Sequence, residues 1–373
     1  MRKILILANE NSTIYNFRRE LLHRLVAEKY EVVISLPQHE RNIELEKIGC
    51  RIEEIELSRS GINPLKELAL LYSYKKQIKR INPDVVLTYT AKPNIYGSLA
   101  CQKLHIPYIN NVTGLGSMFQ SENIIKKIML LLQKKAYKKS SCVFFQNESN
   151  QKYFIEKNIV GNNNRLLPGS GVNLSLHKFE EYPKYDGKIK FILVSRVRKD
   201  KGFDEVFEAI GKLSVQYKNI EFHMVGWYED DNYKGKVDEM VKNYPVTYHG
   251  SQTQEQVHEL IKECHCLIHP SYHEGMANVL LEAASSGRPV MASNIPGCRE
   301  TFDEGVSGYG FEVKNAAALV NAIEKFIKLP YEDKKQMGIA SRAKVEREFD
   351  RQIVIERYME EINKLMCPRK AGL

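Results

Sequence analysis

His269-Pro270-Ser271-Tyr272-His273-Glu274-Gly275-Met276-Ala277-Asn278-Val279-Leu280-Leu281-Glu282-Ala283-Ala284-Ser285-Ser286-Gly287-Arg288-Pro289-Val290 reads as a strand end, a turn, a helix, a stop and a second strand. Gly275 permits the turn because it lacks a Cβ. Met276 to Ala284 contains good helix formers and no breaker, so a helix is predicted there. Gly287 caps it and Pro289 prevents its resumption. Glu274 falls just before this helix and Glu282 two turns inside it. An acid within so apolar a segment is costly unless it has a partner. A helix opening after a glycine presents free N–H groups and a positive dipole end, which together form an anion site. Were the whole segment helical, the two acids would stand roughly 12 Å apart at 1.5 Å per residue. That span matches a nucleotide sugar from hexose to ribose. The plainer alternative is a buried helix with two salt-bridged acids.

The neighbouring residues bear on this choice. His269-Pro-Ser, Glu274-Gly, Glu282-Ala, Gly287-x-Pro289-Val290 and Gly297-x-x-Glu300 together resemble the signature of the family-4 retaining glycosyltransferases of GT-B fold. The resemblance implies an α/β protein with two Rossmann-like parallel-sheet domains facing across a cleft. It also implies transfer of a sugar from a nucleotide donor, with Glu274 on the hexose hydroxyls and Glu282 on the ribose. The N–H groups of Gly275, Met276, Ala277 and Asn278 would then meet the diphosphate. No metal and no cofactor are expected beyond the donor.

The rest of the chain is compatible with that expectation. Its 373 residues, 43% apolar and 27% charged, suit two soluble domains. The basic start Met1-Arg-Lys-Ile-Leu-Ile-Leu-Ala-Asn has too short an apolar run for a signal peptide or membrane span and reads as a first buried strand. A cytoplasmic location is therefore expected. Seven scattered cysteines form no disulfide framework. Strand alternation would point Cys264 and Cys266 to one face and His265 to the other, which argues against a metal site.

Charge divides the chain unevenly. Residues 1–170 carry 26 Lys+Arg against 15 Asp+Glu, and the remainder 29 against 31. A basic first half faces an anionic partner, either nucleic acid or membrane. Much of that charge lies in Asn123–Lys139, where Lys126, Lys127, Lys134, Lys135, Lys138 and Lys139 punctuate an apolar helical pattern. Such a helix either lies in an anionic membrane interface or buries its apolar stripe against a sheet with the lysines in water. A domain helix whose lysine face touches a membrane satisfies both. Without an aromatic platform or reader motif, nucleic acid is not expected.

Strand-like runs Lys3–Ala8, Glu31–Leu36, Asp84–Tyr89, Pro107–Asn111 and Cys142–Gln146 alternate with helical stretches, the pattern of a parallel sheet. Ligands then bind beyond the carboxyl ends of the strands. In the first such loop Ser12 or Thr13 is a candidate N-cap, or else a phosphate contact through its N–H. Phe17, Leu21, Leu22 and Leu25 are the expected buried face of the helix that follows. Many transferases of this type have two glycines in that loop, and this chain has none. In the third loop Pro93 is expected to exclude a helix through Lys92, leaving Lys92 and Asn94 at the strand end. Lys92 then faces a phosphate or is a surface lysine. In the fourth, Thr113-Gly114-Leu115-Gly116 resembles an acceptor-side loop of bacterial enzymes that extend polyprenyl-diphosphate sugars.

Pro168 to about Lys184 reads as the linker, so the expected domains are 1–170 for the acceptor, 171–348 for the nucleotide sugar, and a helix over 349–373 crossing back. Arg196 and Lys201 follow the apolar strand Lys188–Ser195 and resemble the family's diphosphate-binding loop, with Ser195 where glycine is usual. Two cations suit a diphosphate without a metal. Gly226, Trp227 and Gly250 end two further strands beside the expected nucleobase. His273 touches the sugar or only shapes its turn. By resemblance the donor is a UDP-sugar, an N-acetylhexosamine or uronic acid. The acceptor is an undecaprenyl-diphosphate saccharide for surface polysaccharide, reached by an enzyme peripheral to the inner face of the plasma membrane. A UDP-sugar 2-epimerase of the same architecture is the alternative.

Overall fold

The computed structural model describes residues 2–57, 63–114 and 124–366. The chain forms two compact units, Met1–Ser170 with Gln352–Leu373, and Gly171–Arg351. Strands of the first unit are β1 Lys3–Leu7, β2 Glu31–Leu36, β3 Arg51–Glu54, β4 Val85–Tyr89, β5 Tyr108–Val112, β6 Cys142–Phe145 and β7 Asn164–Leu166. They form one parallel sheet in the order β3-β2-β1-β4-β5-β6-β7. Its central strands are apolar on both faces because helices cover both. The short edge strands β3 and β7, mostly polar, were not anticipated from the sequence.

The helices of this unit are α1 Asn11–Ala27, α2 Asn42–Ile48, α3 Pro64–Ile81, α4 Ser98–Leu104, α5 Ile124–Tyr137 and α6 Glu148–Glu156. The second unit has β8 Ile189–Val194, α7 Phe203–Gln216, β9 Ile220–Val225, α8 Tyr233–Asn243, β10 Val246–Tyr248, α9 Gln254–Glu263 and β11 Cys266–His269. It continues with α10 Asn278–Ser285, β12 Val290–Ser293, β13 Gly308–Phe311, α11 Ala316–Lys328 and α12 Tyr331–Glu348. Its sheet is parallel, ordered β10-β9-β8-β11-β12-β13. The strand order reverses between β8 and β11, which places the ligand crevice at their carboxyl ends. The last helix, α13 Arg351–Met366, sets Tyr358 against Phe144 in the core of the first unit, with ring centroids 4.7 Å apart.

Several local expectations need correction. The N-cap of α1 is Glu10, so Ser12 and Thr13 lie inside the first turn; Thr13 Oγ1 donates to Glu10 Oε1 at 3.0 Å. Its buried face includes Ile14 and Arg18, while Phe17 is half-buried. The Arg18 guanidinium lies 5.2 Å from the Tyr89 ring centroid and 5.7 Å from that of Tyr358. Lys92 is helical, and a π-helical turn Pro93–Gly97 follows it into α4. Proline is tolerated there because the first turn needs no N–H from it. Cys264 precedes β11, and it packs on the opposite side of the sheet from Cys266. Gly116 lies outside the described residues.

Arg288, between the two stop signals Gly287 and Pro289, is buried. Its guanidinium donates to the carbonyls of Glu180, Glu181, Ser286 and Lys262 at 2.8–3.1 Å. Burial pulls its pKa down to about 10, so it stays charged at neutral pH. It fastens residues 180–181 to the ends of α9 and α10. Arg288→Met leaves those carbonyls without their donor and should cost about 3 kcal/mol of stability, read from the denaturant midpoint. An unchanged midpoint would remove this role.

Candidate active site

The site is assembled where β8 and β11 end. Lys199–Lys201 forms a short 3-10 turn after β8, and Gly202 follows with φ +75°. A Cβ on Gly202 would lie 2.2 Å from the carbonyl oxygen of Pro270, so only glycine lets these two loops touch. The contact delivers Lys201 to Glu274: Nζ reaches Oε1 at 2.5 Å and Ser271 Oγ at 3.3 Å. His269, the last residue of β11, places Nε2 2.9 Å from the same Glu274 oxygen. Burial opposes charge on Glu274, yet His269 and Lys201 outweigh it and hold the carboxyl well below its ordinary range.

Beneath this turn, Gly297 with φ +85° lies against the Glu274 and Gly275 carbonyls. Its N–H donates to Glu300 Oε2 at 2.7 Å, and its carbonyl accepts from the Ala277 N–H at 2.8 Å. The Gly297-x-x-Glu300 spacing therefore supports the loop from below. Helix α10 begins at Asn278 and not at Met276, because its N-cap Ala277 has the non-helical φ −78° and ψ 89°. The Ala277 N–H is spent on Gly297, and Met276 and Ala277 are buried in the core. No side chain caps α10, so its first turn opens toward the site.

A cavity of about 290 Å³ joins these parts. Of the residues singled out from the sequence, Arg196, Lys201, Gly226, Glu274, Met276, Ala277 and Asn278 line it. Asn278 Oδ1 is buried with no hydrogen-bond partner among the described residues. Gly250 accepts the Gly226 N–H at 2.8 Å and shapes the wall without lining it. Gly275 supports the turn. Glu282, on α10, is half-buried, its side chain 16% exposed. Burial raises its pKa, with Arg351 and His258 pulling the other way. Arg196 is half-exposed and paired with Glu229 at 2.8 Å. Trp227, 55% exposed, lines the cavity, as do Ser251 and Gln252.

A second cavity, about 550 Å³, lies between residues 176–180 and α9. Glu180, Glu255 and Glu259 line it with Lys178 as the lone lysine or arginine, a poor setting for a diphosphate. No group of three side chains able to hold a metal comes together among the described residues.

The first-unit residues fare differently. Lys92 Nζ binds Glu67 Oε1 at 2.7 Å, with both side chains largely buried, so it is neither a surface lysine nor a free cation. Asn94 is buried, accepting from Thr88 Oγ1 at 2.6 Å and donating to the Asn111 carbonyl at 2.8 Å. Thr113 and Gly114 follow β5 half-buried. The sequence reading missed His269 as the partner of Glu274, and it missed Glu229; a histidine five residues before an acid was the one local signal.

A pair of parallel α/β sheets, with a cavity lined by Arg196 and Lys201 where the strand order reverses, is the architecture of a two-domain ligand-binding α/β protein. The chain matches the family model described as glycosyl transferases group 1 over residues 175–344, and that described as glycosyl transferase 4-like over residues 3–147. It is a glycosyltransferase of this group, with the GT-B fold. It is 27% identical to the N,N'-diacetylbacillosaminyl-diphospho-undecaprenol alpha-1,3-N-acetylgalactosaminyltransferase of Campylobacter jejuni, over 96% of this chain and 97% of that enzyme. It is 23% identical to the capsular polysaccharide biosynthesis glycosyltransferase CapM of Staphylococcus aureus, over 83% and 86% of the two chains. Among solved structures, Anabaena HepE in complex with UDP and glucose superposes with a TM-score of 0.79 at 17% identity, covering 98% of this chain and all of that one.

The depressed pKa of Glu274 fixes the sign of a pH effect. The stabilisation from its pairing is complete above the unfolded carboxyl value of 4.5 and is lost as pH falls toward the lower folded value. The stability gap between wild type and Glu274→Gln should therefore narrow below about pH 4.5 in acid denaturation. A gap independent of pH there would refute the pairing.

Proposed function

We propose that this chain is a retaining transferase of family 4 that moves a hexose derivative from a UDP-sugar to a polyprenyl-diphosphate-linked saccharide in surface glycan assembly. The sugar is an N-acetylhexosamine or a uronic acid. The observation that carries the reading is the convergence of Arg196, Lys201, Glu274 and the open first turn of α10 on one cavity. The near-full-length similarity to a transferase named for an undecaprenol-diphosphate acceptor supports the acceptor class.

In this reading Arg196, Lys201 and the α10 N–H groups take up the charge that grows on the departing diphosphate. Lys201 exchanges part of its contact with Glu274 for a phosphate oxygen. Glu274, kept ionised, accepts hydrogen bonds from hexose hydroxyls, and Glu282 receives those of the ribose. Gly226, Gly250 and Trp227 border the base. A donor phosphate oxygen assists deprotonation of the acceptor, so no separate general base and no metal is assigned. The first unit takes the acceptor, with Ser12, Thr13, Thr113 and Gly114 at the strand ends. Lys92 and Asn94 are held by protein partners and act by shaping that wall.

No helix among the described residues is long and apolar enough to cross a membrane. Helix α5 buries Met129, Gln133, Ala136 and Tyr137 and exposes Ile128 and Leu131 among Lys127, Lys134 and Lys135. We assign this face to an anionic cytoplasmic membrane surface, where a lipid-borne acceptor resides. Triple replacement of Lys127, Lys134 and Lys135 by glutamate should abolish sedimentation with vesicles containing anionic lipid while leaving turnover of a short-chain soluble acceptor intact. Undiminished sedimentation would reject this face.

The deciding experiment is UDP release from a panel of UDP-sugars, with and without a lipid-diphosphate saccharide. One donor should release UDP only with acceptor present. Lys201→Ala should lower kcat about a hundredfold, and Glu282→Ala should raise the donor KM about tenfold. Unchanged kinetics in both variants would discard the site. Conversion of a UDP-sugar with no acceptor would instead indicate the epimerase, which the transferase family matches do not favour.

A further inference from the structure

The segment entering the second unit places a histidine against Glu282. Asn173 opens a turn by accepting the Ser175 and Leu176 N–H groups through its side chain and that of His177 through its carbonyl. The His177 carbonyl is then held by Ser285 Oγ at 2.6 Å and Arg342 Nη1 at 3.0 Å. Its backbone is thereby pinned to both α10 and α12. The residue is 3% exposed, and its Nε2 stands 4.0 Å from Glu282 Oε1.

The other polar groups around the carboxylate form a chain leading away from it. The His177 ring meets that of His258 edge-on, with centroids 5.8 Å apart. His258 contacts Glu180 Oε1 at 3.1 Å through Nε2 and Ser286 Oγ at 3.4 Å through Nδ1. Arg351 adds a longer-range positive field. Among the described residues no side chain donates a hydrogen bond to the Glu282 carboxylate, although burial penalises its charge. An apolar side chain would fill the His177 position without desolvating an imidazole. A ring nitrogen 4.0 Å from the carboxylate gives it a polar neighbour and leaves its lone pairs open for a diol.

We propose that His177 is a positioning residue for the donor: it holds the Glu282 carboxylate in place to receive the two ribose hydroxyls. The assignment rests on the reading of Glu282 as the ribose ligand. It makes the first turn of the linker part of the donor site, although no atom of that turn need touch the nucleotide.

The test is calorimetric titration of UDP and of 2′,3′-dideoxy-UDP into the full-length protein. His177→Phe preserves volume and removes the polar contact. It should weaken UDP about tenfold, leave dideoxy-UDP unchanged, and raise the donor KM without lowering kcat. Combined with Glu282→Gln it should add no further loss. If His177→Phe fails to fold, His177→Asn takes its place with the same readouts. Unaltered UDP affinity, equal loss for both nucleotides, or full additivity with Glu282→Gln would each overturn the proposal. A wild-type protein that binds no UDP overturns the donor reading itself. One that binds UDP no better than dideoxy-UDP overturns only the ribose role and the proposal built on it.

Discussion

Everything at the active site depends on how closely the backbone after β8 approaches the turn after β11. The 2.2 Å that would separate a Gly202 Cβ from the Pro270 carbonyl leaves room for hydrogen alone. With that clearance, a lysine and a glutamate 73 residues apart meet at 2.5 Å. A wider gap would leave two charges in a half-buried cleft without compensation, at a cost of several kcal/mol. The same economy recurs at Gly226, whose Cβ would strike the Ser195 carbonyl at 1.8 Å. The strand ends are packed backbone to backbone, and the side chains that carry chemistry radiate from those contacts.

Legibility in the sequence follows from the same geometry. The stretch from His269 to Val290 could be read because turn, helix, stop and strand are each announced by a local residue, and because its many-residue pattern resembles a known family. The apolar central strands were equally plain, being buried on both faces. What escaped were features decided by distant partners. Nothing near Lys92 announces Glu67, 25 residues earlier, so from the sequence alone this pair reads as a lysine that faces a phosphate or lies at the surface. Met276 and Ala277 look like helix, yet the Ala277 N–H turns to the Gly297 carbonyl 20 residues on. Ser12 and Thr13 are favourable caps that the chain does not use, because Glu10 is the residue in extended conformation. The polar edge strands carry no hydrophobic signature at all.

The uneven charge of the chain finds a physical place in the fold without needing one dominant patch. Arg18 and Lys92 spend their charge inside the first unit, on aromatic faces and on Glu67. Lys127, Lys134 and Lys135 of α5 are exposed, as are Ile128 and Leu131 on the same helix. In the second unit nearly balanced charge is drawn inward: Lys201, Arg196 and Arg288 are each engaged by oxygens of the protein. The cavity cations are therefore ordered by protein oxygens, and part of the entropy of fixing them has been lost on folding.

Trp227 is the chain's one tryptophan, and it lines the cavity while more than half exposed. An indole in water emits at longer wavelength than one covered by a ring or a loop. The molecule thus carries a built-in optical gauge on the wall of that cavity. Occupancy of that pocket can be followed in real time, in unmodified protein, with no label to perturb the equilibrium being watched.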